Sequence, residues 1–216
     1  MMLSLPPKDD ATRLLLIRHL EPDESFAGRA YGALDVPLSA AARELAERLA
    51  GGLAGVPLAA VYTSPLRRAV ETAVSIASRH GIVPRPHEGL RELDFGELEG
   101  DHFDDLRQRD PELFDAWMSD PTGVVFPGGE SFSDLRRRAL TAAEEIRRSH
   151  VGDAVAVVTH GGVARAILAD TLEMPARALF RLDQPYGAVS VVDWLDATPV
   201  VRLVNADLIT PPEGRA

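Results

Sequence analysis

The sequence predicts an α/β fold, a three-layer sandwich in which a mainly parallel sheet lies between helices. Two observations carry that expectation. Short apolar runs at 13–17, 58–62 and 153–159 read as buried strands, and stretches with helical apolar spacing alternate with them. The length of 216 residues suits a single domain over 1–216 with a modest insertion.

Taken in order, residues 1–12 read as a flexible arm, and Arg13 to Ile17 as the first strand. Ser39 can cap a helix running to Ala50, with Gly51 and Gly52 as its stop. A strand over Leu58–Tyr62 leads into Thr63-Ser64-Pro65, where Ser64 suits the N-cap and Pro65 the first helical turn. Apolar residues at 66, 69, 70, 73, 74 and 77 continue that helix to His80-Gly81. Charge, proline and aromatics crowd positions 95–127, which reads as short helices forming a lid-like insertion. A further helix opens at Ser131, with Asp134 three residues on, and ends near Ser149. Asp153–Thr159 is the central strand; an apolar helix follows at His160-Gly161-Gly162, and strands near 189–194 and 200–204 close the chain.

Composition narrows the chemistry. A net charge of −10 disfavours general binding to nucleic acid or to an anionic membrane. With no cysteine there is no disulfide, thiolate metal site or cysteine nucleophile. Lys8 is the sole lysine and lies in the arm, which removes Schiff-base enzymes and the P-loop. No apolar stretch approaches a membrane span, and the N-terminus carries no signal-peptide core, so cytoplasm is the expected location.

Two histidines stand directly after predicted strands, His19 after the first and His160 after the central one. Ligands of open α/β sheets bind beyond the carboxyl ends of strands, so two such histidines can face one pocket. Arg67 and Arg68 occupy a helix's first turn, where cations oppose the helix dipole; a bound anion accounts for that placement. A solvated basic turn is the plain alternative for the arginines, and a core or surface residue the plain alternative for each histidine.

The motifs in their order, over about 13–204, resemble the histidine phosphatase superfamily, the group that includes cofactor-dependent phosphoglycerate mutase. Leu15-Leu16-Ile17-Arg18-His19 resembles its signature, which makes His19 the nucleophile and Arg18 a phosphate ligand. Thr63-Ser64-Pro65-Leu66-Arg67-Arg68-Ala69 resembles the motif whose arginine before alanine binds phosphate, which selects Arg68 over Arg67. Leu90-Arg91-Glu92, followed by Phe95-Gly96 and Glu99-Gly100, is similar to the segment supplying a general acid, Glu92. Val158-Thr159-His160-Gly161-Gly162 is similar to the second histidine motif, with His160 in catalysis and Gly161 at the phosphate. The family usually reads Arg-His-Gly-Glu-Thr, whereas Leu20 and Pro22 flank Glu21 here, and Ser25 replaces an asparagine that often contacts phosphate. Leu20 is expected to narrow the pocket or alter the turn.

The resemblance implies a phosphomonoester hydrolase acting through a phosphohistidine on a small phosphorylated metabolite, with no metal or organic cofactor. A mutase needs a grip on a second carboxylate, and Leu93-Asp94-Phe95 after the acid is apolar and acidic there. A non-catalytic phospho-ligand-binding module would be expected to lose His19 or Glu92, and both persist. The stretch from Gly28 to Ser39 is similar to the α-ribazole phosphatase branch. Ser25, Arg29 and Tyr31 are candidate rim residues. Phe103, Phe114, Trp117 and Phe126 in the lid either contact the substrate's organic part or pack the lid onto the sheet. A homodimer is left open.

Overall fold

The computed structural model describes residue 3 and residues 10–210. The arm expected over 1–12 lies mostly outside the described residues. Of those within it, Leu3 donates its N–H to the Gly52 carbonyl at 2.8 Å, Ala11 is buried, and Thr12 opens the first strand.

Six strands form one sheet: β1 (Thr12–Arg18), β2 (Leu58–Thr63), β3 (Arg85–Pro86), β4 (Ala154–Thr159), β5 (Val189–Leu195) and β6 (Thr198–Ala206). Their order is β3-β2-β4-β1-β5-β6. The first four run parallel, and β5 and β6 add an antiparallel hairpin on the β1 side. All six residues of β4 are buried, as a central strand covered on both faces requires.

The pleat of β1 divides the core. Leu14 and Leu16 face one way, towards α5 (Phe132–Ser149) and α6 (Gly161–Thr171); Leu15 and Ile17 face α1 (Ala40–Leu53) and α2 (Arg67–Arg79). The two cores join the α5 and α6 layer, the sheet, and the α1 and α2 layer into the sandwich that the sequence predicts. The stretch 95–127, expected as an insertion, lies between β3 and α5 and holds two short helices, α3 (Phe103–Arg109) and α4 (Pro111–Ser119). No helix among the described residues is long and apolar enough to cross a membrane.

Helix ends follow local chemistry where side chains are free to cap. Ser39 accepts from Ala42 N–H at 3.0 Å, and Ser131 with Asp134 forms a reciprocal capping box. Two boundaries differ from expectation. Helix α1 continues through Gly51 and Gly52 to Leu53, because Gly52 and Leu53 are buried against the second core and that burial outweighs the low helix propensity of glycine. Helix α2 starts at Arg67, not at Ser64-Pro65, and Leu66 caps it without a side-chain bond. Ser64 instead continues the pairing of β2 with β4: its N–H donates to the Val158 carbonyl at 2.9 Å, which holds the chain extended past β2.

Helices after β1 and β4 pack on opposite faces of the sheet, and these two strands are neighbours. A crevice therefore opens at their carboxyl ends, the place where open α/β sheets bind ligands.

Candidate active site

His19 and His160 sit at that crevice, each one residue beyond its strand, with ring centroids 5.0 Å apart. Both are buried. His19 N–H donates to the Thr159 carbonyl at 2.8 Å, tying the two strand ends together. The Nδ1 of His19 lies 2.6 Å from the Leu20 carbonyl oxygen. A carbonyl can only accept, so Nδ1 carries the proton and Nε2 keeps its lone pair. Burial first, then the guanidinium groups of Arg68 and Arg18, hold this imidazole well below the usual histidine range, against a smaller opposing effect of the Leu20 carbonyl. It is therefore neutral at neutral pH.

His160 is held low in the same way, by burial first and then by Arg68, His19, Arg18 and Arg138. Its Nε2 lies 2.7 Å from Ser64 Oγ. When the serine hydroxyl donates to Nε2, the proton of a neutral His160 resides on Nδ1.

The two neighbouring arginines on α2 diverge. Arg67 is exposed and pairs with Glu71 at 2.6 Å, one turn along the helix. Arg68 is fully buried and donates to the carbonyls of Gly32 and Leu34, both at 2.7 Å. Burial lowers its affinity for the proton, with Glu92 foremost among the groups that oppose this. Arg18 donates to the Gln184 carbonyl and lies 4.0 Å from the centroid of the Tyr186 ring.

Among the described residues, the buried side-chain nitrogens without a hydrogen-bond partner are Arg18 Nε, Arg68 Nε, His160 Nδ1 and the remote His80 Nε2. Buried donors are normally paired, and leaving one unmade costs about 1–3 kcal/mol. Three of the four belong to this one crevice. Cationic or neutral N–H donors grouped in this way form an anion site.

Glu92 lines the same cavity. Its Oε1 accepts from the Leu93 N–H at 2.9 Å and its Oε2 from the Gly162 N–H at 3.0 Å. The backbone beneath it is clamped by Arg138 of α5, which donates to the carbonyls of Gly89, Arg91 and Glu92 and pairs with Glu130. A side chain at 162 would collide with the carboxylate, since a Cβ there would stand 2.3 Å from Glu92 Oε1. Gly161, the residue expected at the phosphate, opens α6; a Cβ there would stand no closer than 3.2 Å to Arg165 Nη1. Gly162 thus carries the steric requirement that the motif places on its glycine pair.

The rim residues separate. Arg29 and Tyr31 line the cavity. The Tyr31 hydroxyl bonds to that of Tyr186 at 2.5 Å, and burial, then Tyr186, pushes the Tyr31 phenol well above its ordinary range. Ser25 is exposed and does not line the cavity; its hydroxyl donates to the Asp23 carboxylate at 2.6 Å within a tight turn. Leu20 does not narrow the pocket. Its side chain is buried in the α1 and α2 core, and its N–H donates to Thr72 Oγ1 at 3.1 Å. Of the four aromatics expected in a lid, Phe103 and Trp117 line the cavity, Phe126 is buried in the core, and Phe114 packs beside Trp117.

Sequence reasoning passes over Tyr186, Arg138, Arg165 and the bond from Ser64 to His160. Arg165 lies one helical turn beyond Gly161, a spacing that was available as a signal. Tyr186 and Arg138 come from segments whose approach is set by the sheet order and by α5.

Comparison with known proteins identifies the family. The family description "Histidine phosphatase superfamily (branch 1)" matches residues 14–207. The bifunctional protein Rv2228c of Mycobacterium tuberculosis is 36% identical over 90% of this chain and 54% of its own length, so the chain spans about half of that relative. The adenosylcobalamin/α-ribazole phosphatase of Escherichia coli is 32% identical over 91% of this chain and 97% of its own. The solved structure of Bacillus stearothermophilus YhfR superposes with a TM-score of 0.86 at 35% identity, covering 93% of this chain and 100% of that one. Sequence, fold and the paired histidines with their arginines together place this chain in the histidine phosphatase superfamily.

Proposed function

We propose that the chain is a phosphomonoester hydrolase that carries the phosphoryl group on His19. The observation that bears most weight is the convergence of three unpartnered buried nitrogens, on Arg18, Arg68 and His160, around a neutral histidine. The phosphatase named among its relatives supports the same reading.

In the first half-reaction the lone pair of His19 Nε2 forms the N–P bond while the ester P–O bond breaks. Glu92 gives its proton to the leaving oxygen. Arg18, Arg68 and His160 donate to the phosphoryl oxygens and offset their charge through a loose transition state. In the second half water forms the new P–O bond, its proton passes to the Glu92 carboxylate, and the N–P electron pair returns to His19. All charge stabilisation rests on protein groups, so the reading includes turnover without a metal. Location in the cytoplasm belongs to the same proposal. A mutase would need a cationic grip beyond the acid, and Leu93 and Phe95 line the cavity there.

The test is turnover of p-nitrophenyl phosphate with acid-labile labelling from a labelled ester, before and after exhaustive chelation. His19→Ala should abolish both signals, and Glu92→Gln should slow turnover about 10²–10⁴-fold. Persistent labelling of the His19→Ala protein would overturn the nucleophile, and a loss on chelation that magnesium restores would overturn metal independence.

A further inference from the structure

The cavity of about 260 Å³ has two unlike ends. Arg18, His19, Arg68 and Glu92 form one. The other is walled by Phe95, Phe103, Trp117, Phe132, Leu179 and Phe180. Trp117 on α4 is the hub of this wall: it stacks on Phe103 at 5.5 Å and meets Phe95, Phe126 and Phe180 edge-on at 5.6, 5.7 and 5.9 Å. Phe180 stands at the mouth, 38% exposed, and comes from the 3-10 segment after α6 (Ala176–Arg181). These rings do more than cement the insertion, because they face open space continuous with the anion end.

On the reading above, the phosphoryl group is fixed at the basic end, so the organic part of the ester must extend into the aromatic end. We infer that this enzyme selects phosphomonoesters of apolar, ring-bearing alcohols, with the aromatic chamber as its specificity site. This deepens the hydrolase reading and rests on it.

Two further features disfavour zwitterionic or polyanionic substrates. A charged ammonium or carboxylate would lose its water against the rings of the chamber. The adjoining cavity, which shares Arg18, Arg29, Tyr31 and Phe103 with the first, carries Glu21, Asp23 and Glu24 on its lining and repels a second negative charge. Of the guanidinium groups nearby, Arg29 donates to the Ser25 and Gly100 carbonyls, while Arg165 commits its Nε to the Leu182 carbonyl and lies 5.9 Å from the Phe180 ring centroid.

The test uses esters that share a primary alcohol leaving group, so that intrinsic reactivity does not bias the ranking: ethyl phosphate, 2-phenylethyl phosphate, phosphoserine and 3-phosphoglycerate. The expected kcat/KM for the phenylethyl ester exceeds that for the ethyl ester at least about tenfold, and phosphoserine and 3-phosphoglycerate fall below both. Trp117→Ala and Phe180→Ala should each shrink the phenylethyl-to-ethyl ratio several-fold, mainly through KM. Phe180 is half exposed, so its variant keeps the test alive if loss of Trp117 unfolds the insertion. Equal turnover of the two esters, a ratio unchanged in both variants, or preference for phosphoserine overturns the inference.

Calorimetry with ethyl- and 2-phenylethylphosphonate, which cannot be hydrolysed, separates this failure from failure of the hydrolase reading. Tighter binding of the phenylethyl compound without turnover of any ester upholds the chamber and sinks hydrolysis. Equal binding of the two overturns the chamber whatever the turnover.

Discussion

The hydroxyl of Ser64 lies 2.7 Å from Nε2 of His160 and also accepts the Leu66 N–H at 3.3 Å. The hydroxyl keeps its own proton, and a second lone pair, for the imidazole. Donation of the hydroxyl proton to Nε2 puts the proton of a neutral His160 on Nδ1, the nitrogen without a protein partner. Ser64 acts through His160 and is a positioning residue.

Replacing it tests that role. A neutral hydrogen bond is worth about 0.5–1.5 kcal/mol net, so Ser64→Ala should lower kcat/KM about two- to tenfold. The pH profile should change shape, because the tautomer of His160 is no longer specified. An unaltered profile and rate would show that something else sets the imidazole.

The pH dependence follows from His19. Its folded-state proton affinity is depressed by burial and by Arg68 and Arg18, so the imidazole stays neutral as pH falls through its ordinary value of 6.5. The acid limb of kcat/KM attributable to this group should therefore lie below pH 6.5. Stability carries the same sign. The unfolded chain takes up protons near the ordinary value while buried His19 and His160 do not, so their contribution is present above about pH 6.5 and is lost as pH falls below it. Urea midpoints at pH 7.5 and 5.5 read this directly, and His160→Asn should flatten the difference. Equal midpoints in the parent protein would contradict the buried neutral pair.

Glycine geometry distinguishes 161 from 162. A Cβ at 162 would fall 2.3 Å from Glu92 Oε1, against 3.2 Å from the flexible end of Arg165 for a Cβ at 161. Gly162→Ala should displace the acid and cost up to about 10²–10⁴ in turnover, with the fold intact by circular dichroism. Gly161→Ala should cost less. The reverse order would place the steric requirement at the first glycine.

Asp193 is fully buried on β5 and accepts from Arg13 at 2.6 and 2.7 Å and from Arg202 at 3.0 Å. Removing one partner of a buried pair strands charge in the interior. Asp193→Ala should therefore destabilise the fold by about 3–5 kcal/mol, read from the denaturant midpoint. A loss under 1 kcal/mol would mean that the arginines reach water when the carboxylate is gone.

Much of this architecture was legible in one dimension. The apolar runs of β1, β2 and β4 are long enough and apolar enough that only burial suits them, and their alternation with helical periodicity leaves few folds. Ser39 and Ser131 marked their helices because a cap is a local bond. Ser64 misled for the opposite reason: its backbone and hydroxyl are taken by β4 and His160, partners about 95 residues away that local propensity cannot weigh. Ser25 misled differently: the family resemblance put it at the rim, whereas a local bond turns its hydroxyl to Asp23, two residues away.

Chain order and residue type thus specified the chemistry on offer: two imidazoles at strand ends, two guanidinium groups and one acid, each within a recognisable local motif. Three-dimensional structure settled how they meet. Placing β4 beside β1 brings the histidine rings 5.0 Å apart, and placing β5 on the other side of β1 sets Tyr186 over Arg18, while Arg68 is buried and Arg67 stays in water. Proton affinities, unpartnered nitrogens and the aromatic chamber all arise from burial and proximity, which depend on contacts between segments distant in sequence.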